Sequence, residues 1–169
     1  SIAVSNTAEA LARHKKFAAT NDVFTPTLLH DMGKLVLGQF VKEERQSIER
    51  IRAKGVPLDV AEHMVLGTDH AEIGALILAR WSFPDDIVNA VRWHHNPERI
   101  KNPTTKSDMT YLSNLMCQPR GDSDSADGQP VMLSSAVLDR LGIKANQYEV
   151  IAAKAQSWMV KLSDTLTFD

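Results

Sequence analysis

Three polar residues, His30, Asp31 and Lys34, interrupt the otherwise apolar stretch "LLHDMGKL". His30 and Lys34 are four positions apart, so a helix would stack them on one face, with Asp31 beside them. A carboxylate and an ammonium buried without partners cost on the order of several kcal/mol each, so something must compensate. A divalent cation would do so, because imidazole and carboxylate are the usual ligands of Fe, Mn, Zn or Ni, and a lysine alongside could hold a phosphate. An internal Asp31–Lys34 ion pair, with His30 bonded to a backbone carbonyl, would also do so. Two further segments bear on that choice. "GTDHAEIGA" places His70 in the first turn of a helix, with Glu72 close by. "AVRWHHNPE" places His94 and His95 at the end of another, where a turn can aim both rings inward. The plainer alternatives are a helix C-terminus that favours imidazolium for the pair, and a surface position after its cap for His70. His14 and His63 read as ordinary surface residues.

The elements that must position these groups all read at helical period. Ala8, Leu11, Ala12 and Ala18 mark a small-residue helix from Ser5 to Thr20 that can pack closely on its neighbours. Thr25-Pro26 reads as N-cap and first helical position. The helix it opens, with Leu28, Leu29, Met32, Leu35, Val36 and Leu37, is apolar on nearly every side and is expected at the centre of a bundle. A polar helix over Glu43–Lys54 stops at Gly55, and Pro57-Leu58-Asp59 starts the next, which ends at Gly67. Asp69 is the expected cap of a helix beginning at His70. Pro84-Asp85-Asp86 opens another that Pro97 stops, and further helices are expected near Met109–Cys117, Ser134–Leu141 and Gln147–Leu166. "PRGDSDSADGQP", residues 119–130, reads as a flexible connection. Without an alternating strand pattern or an internal repeat, the fold class is all-α, a multi-helix bundle.

The 169 residues fit one domain with a real core, and 43% apolar with 24% charged residues is ordinary for a globular chain. A net charge of −2 without a basic block argues against a nucleic-acid or membrane surface. No apolar run approaches a membrane span, and the N-terminus does not read as a signal peptide. Cys117 is the sole cysteine, so neither an intrachain disulfide nor a cysteine-based metal cluster can form, and a reducing cytoplasm is the expected compartment.

Taken together, "LLHDMGKLVL", "GTDHAEIGALILARWSFPDDIVNAVRWHH" and "YLSNLM" resemble the HDOD branch of the HD-domain superfamily over roughly residues 1–117. The resemblance implies an HD-type helical bundle and a role in bacterial signal transduction. Its HD-GYP relatives are metal-dependent phosphodiesterases that hydrolyse cyclic di-GMP. Carried over position by position, His30 and Asp31 match the paired metal ligands and Lys34 the lysine beside them. His70 matches a histidine of the second-metal set, and His94-His95 the tandem pair. Three departures stand out. The superfamily's opening histidine falls at or just before Ser1. Its closing aspartate falls on Asn114, a neutral and weaker ligand. No Gly-Tyr-Pro follows His94-His95.

The expectation is therefore a single HDOD-like domain over residues 1–169, with part of the module lying before Ser1. It would be a signalling module that binds a partner protein or a small ligand through a degenerate metal pocket. The alternative is a metal-dependent phosphohydrolase or phosphodiesterase acting on a nucleotide or cyclic nucleotide. There the metal would activate a water, Asp31 would serve the reaction, and Lys34 would steady the phosphate.

Overall fold

The computed structural model of the chain describes residues 1–15, 20–118 and 133–166; residues 14, 15, 20, 21 and 158–166 are described through their backbone alone. Every regular element among the described residues is helical: α1 (Ile2–Lys15), α2 (Phe24–Leu29), α3 (Met32–Phe40), α4 (Arg45–Arg52), α5 (Leu58–Leu66), α6 (His70–Arg80), α7 (Asp85–Arg92), α8 (Thr105–Cys117), α9 (Ser135–Arg140) and α10 (Ala145–Leu166). Short 3-10 turns cover Thr20–Val23 and Pro97–Arg99. The expected flexible connection at 119–130 and the side chain of His14 lie outside the described residues. No described helix is long and apolar enough to cross a membrane.

Local chemistry accounts for most boundaries. α5 follows Pro57 and ends at Gly67, whose φ of 71° is the left-handed conformation that closes helices cheaply only at glycine. α6 starts where the Asp69 carboxylate accepts the backbone N–H of Glu72 at 2.8 Å. α7 follows Pro84. α8 begins ahead of the expected Met109 because Thr104 and Ser107 form a reciprocal capping box.

Two apolar clusters result. The larger joins α1, α8, α9 and α10, with Leu11, Met109, Leu112, Met116 and Val137 among its fully buried side chains. Thr7 and Cys117 touch across the α1–α8 contact at 3.4 Å, and burial raises the Cys117 thiol pKa. The smaller joins α6 and α7 through Ala75, Leu78, Val88 and Val91, with Leu29 and Met32 packed against it.

The apolar run from Leu28 to Leu37 departs from expectation. It forms two helices rather than one, broken at His30-Asp31, where Asp31 takes φ −97°, ψ 7°. Leu29 is half-buried, but Leu35 is 77% exposed and Phe40 82%. Among the described residues the most buried helix is α8 instead, which packs against α1, α2, α7, α9 and α10. Helical period reports which residues share a face; it cannot tell that a run apolar all round turns one side to water. Thr25 is likewise not a cap, since α2 begins at Phe24, directly after the 3-10 turn, with no side-chain cap.

Candidate metal centre

Two glycines position the site. A Cβ built on Gly33 would stand 1.9 Å from the carbonyl oxygen of His70 and 2.9 Å from the backbone nitrogen of Gly74. A Cβ on Gly74 would meet Met32 and Val91 side chains at 3.3 Å. The first turns of α3 and α6 thus cross backbone against backbone, which only glycine permits. That contact carries His70 to Asp31.

The histidines are then aimed by their Nδ1 atoms. His30 follows α2 and donates Nδ1–H to the Thr27 carbonyl at 2.7 Å. His94 follows α7 and donates to the Val91 carbonyl at 2.6 Å. Each ring satisfies a helix-end carbonyl that lacks a helical partner. His70, the first residue of α6, places Nδ1 2.5 Å from the Glu62 carboxylate, which also accepts the His70 backbone N–H at 2.9 Å. A carbonyl or carboxylate partner makes Nδ1 the protonated nitrogen, so in the neutral rings Nε2 of all three carries a lone pair.

Those lone pairs converge on Asp31. Its Oδ2 lies 3.2 Å from His30 Nε2, and its Oδ1 lies 3.6 Å from His70 Nε2 and 4.0 Å from His94 Nε2. His95 Nε2 is 2.9 Å from His70 Nε2. His30, His70 and His94 are fully buried, yet His30 Nε2, His94 Nε2 and Asp31 Oδ1 have no aligned hydrogen bond. The Lys34 ammonium stands 2.7 Å from Oδ1, close but off the hydrogen-bond direction. Lone pairs turned towards a carboxylate repel it unless a positive charge sits among them, either a proton or a metal ion.

Burial by itself would raise the Asp31 carboxyl; the close approach of His30, then of the Lys34 ammonium, outweighs it and holds the pKa well below the usual carboxylate range. Burial, then the charge of the neighbouring rings, keeps His94 well below an ordinary imidazole. The same effects push His95 down to about 3, with Lys34 adding to them. These rings therefore stay neutral, the state in which imidazole binds metals. Ligand atoms of His70, His94 and His95 lie within 4.8 Å of one another, as do those of His30, Asp31 and His94. The donor set fits a borderline divalent ion such as Fe, Mn, Ni or Zn.

The structure thus brings together His30, Asp31, Lys34, His70, His94 and His95. It also supplies both halves of the plainer reading, the Asp31–Lys34 pair and the His30–carbonyl bond. Asn114 is half-buried on α8, and no hydrogen bond among the described residues joins it to the cluster. Glu72 does not serve His70; its side chain accepts from Thr68 at 3.1 Å. The carboxylate that does is Glu62, which the sequence reading passed over. Its signal was an acid beside a surface histidine, His63, on a short amphipathic helix, and that pattern is too common to single out.

Residues 1–97 match the HDOD domain family. An uncharacterised protein of Treponema pallidum (strain Nichols) is 33% identical over 85 residues, covering 47% of this chain and 17% of that protein. Among solved structures, an HDOD domain protein of unknown function from Geobacter sulfurreducens superposes with a TM-score of 0.73 at 23% identity, over 94% of this chain and 57% of that one. A Shewanella amazonensis SB2B protein provisionally named a phosphohydrolase gives 0.66 at 21% identity, over 92% and 56%. A Marinobacter aquaeolei VT8 protein provisionally named for signal transduction gives 0.72 at 24%, over 94% and 37%. The chain therefore spans little more than half of the first two structures and a small part of the curated relative. At these identities the structural likeness shows the fold, a helical HD-type bundle. The match across more than half of the sequence shows the family: the chain belongs to the HDOD domain family.

Proposed function

We propose that the chain is a signal-transduction module of the HDOD type that holds one divalent cation in a reduced HD pocket and acts by binding a partner protein or a small ligand. The observation that carries this reading is the convergence of the buried His30, His70 and His94 Nε2 atoms on the Asp31 carboxylate, with His30 Nε2, His94 Nε2 and Asp31 Oδ1 left without hydrogen bonds. Asp31, His70, His94 and His95 would hold the cation. Glu62 would fix the His70 ring, as outer carboxylates do at histidine metal sites. A cation there would supply Lewis acidity towards a phosphoryl oxygen or a water.

Two features set binding above turnover. Asn114 offers an amide at the position where the superfamily pattern has a carboxylate. The absence of Gly-Tyr-Pro after His94-His95 speaks against a cyclic-dinucleotide enzyme. Such a module would work in the cytoplasm, with Cys117 reduced, and without contact to nucleic acid or membrane. The competing reading, a metal-dependent phosphohydrolase, draws on the half-exposed Lys34 side chain beside the pocket and on the provisional name of the Shewanella neighbour. In it Asp31 and Lys34 take the catalytic roles. The test is a pair of assays on untagged protein, metal retention after dialysis and hydrolysis of generic phosphodiesters and cyclic dinucleotides. Retained metal with turnover near background is expected; robust turnover abolished by a chelator would promote the hydrolase.

A further inference from the structure

Lys34 differs from every other member of the cluster. His30, His70 and His94 are sealed from solvent, and Asp31 is mostly covered, while the Lys34 side chain keeps 40% of its surface exposed. Its ammonium nevertheless turns inward, to 2.7 Å from Asp31 Oδ1. That same oxygen faces His70 and His94, so it is the oxygen that a cation held by those rings would take. A divalent ion and an ammonium on one carboxylate oxygen repel each other strongly in a half-buried site. The long lysine stem, already at the surface, gives the ammonium a way out that no buried ring has.

Resting on the cation site proposed above, we propose that Lys34 is an exchangeable counter-cation. A divalent ion displaces its ammonium from Asp31, and the released ammonium then binds a phosphate-type anion at the pocket mouth. Cation and anion binding are thereby coupled. By thermodynamic reciprocity, each ligand raises the affinity of the other by the same factor. With the pocket empty, the Asp31–Lys34 pair holds the site in a self-neutralised state that weakens both.

The test measures Mn(II) binding to the untagged full chain and to Lys34→Met, from the electron-paramagnetic signal of free ion. Each protein is titrated in chloride and again with inorganic phosphate at equal ionic strength. Methionine keeps the stem's length and removes the charge, and matched far-UV circular dichroism verifies the fold. If Lys34→Met aggregates, the polar Lys34→Gln replaces it with the same readout. The variant is expected to bind Mn(II) roughly tenfold more tightly in chloride, the scale on which groups around a metal site act. Phosphate is expected to tighten Mn(II) binding severalfold in the parent and to leave the variant unchanged. Equal or weaker binding by the variant, or the same phosphate response in both proteins, overturns the exchange while leaving the cation site standing. No Mn(II) binding by either protein overturns both.

Discussion

The crossing of α3 over α6 and the packing of α1 against α8 are both helix contacts, but they are built from opposite materials. At the first, two glycines let backbones touch, and the space beside them is filled by imidazoles, a carboxylate and an ammonium. At the second, Leu11, Met109, Leu112 and Met116 fill the interior with apolar volume. The apolar contact is held by burial, which is non-directional and tolerates adjustment. The polar one depends on the register of two backbones and on where each nitrogen points. One region gives the domain stability; the other is an arrangement that stability has to support.

That contrast is broken most severely at Gly33. Gly33→Ala forces a methyl into the His70 carbonyl, an atom no side-chain rotation can move. A loss above about 4 kcal/mol in urea unfolding, or failure to accumulate as folded protein, is expected. The control lies on the same helix: Gly38 has nothing within 4 Å of a built Cβ, so Gly38→Ala should stabilise α3 by about 0.5–1 kcal/mol. Equal behaviour of the two would mean that the helices do not cross as described. Leu112→Ala, in the apolar core, should cost about 2–5 kcal/mol and leave metal affinity at the parent value. A large change in affinity would show that the two regions are not separable.

Acid separates them next. His94 and His95 have folded pKa values below the ordinary imidazole value, His95 at about 3. Below roughly pH 6.5 the unfolded chain takes up protons at these rings that the folded chain refuses. Unfolding free energy therefore falls by about 1.4 kcal/mol per pH unit for each histidine. Asp31, held low, adds a second loss: its contribution is present above the unfolded carboxylate pKa, near 4, and fades below it. Urea unfolding at pH 7.5 and 5.5 should show the drop, and His95→Gln should reduce it. A flat profile would mean that the rings are not sealed as neutral groups.

The smallest expected effect lies where the regions meet. α8 belongs to the apolar core but also packs against α2 and α7, the helices that His30 and His94 follow. Asn114→Asp should raise divalent-metal affinity by up to about tenfold if that face of α8 serves the pocket. An unchanged affinity would confine the site to α2, α3, α6 and the residues after α7.

Much of this was legible in the residues, and what was not has physical reasons. Helical period, Pro57, Gly67, Asp69 and Pro84 disclosed most of the elements, because each acts through its own backbone or its near neighbours. The gathering of His30, Asp31, His70 and His94-His95 was expected from the places of His70 and His94-His95 at helix ends and of His30 and Asp31 on an apolar helix. The break at His30-Asp31 left no trace, since nothing in "LLHDMGKL" forbids a continuous helix. The exposure of Leu35 and Phe40 is set by which neighbours cover α3, a tertiary matter. Glu62 was invisible for the same reason: only the fold shows that its carboxylate reaches a helix terminus eight residues on.

The central claim is that the histidine–aspartate cluster holds a divalent cation. Elemental analysis after equilibrium dialysis tests it most directly, using untagged protein against Mn, Fe(II), Ni and Zn beside His70→Gln and Asp31→Asn. About one equivalent of metal retained by the parent, and little by either variant, is the expected result. No retention by the parent, or equal retention by all three, would contradict it and leave the cluster a protonated polar core.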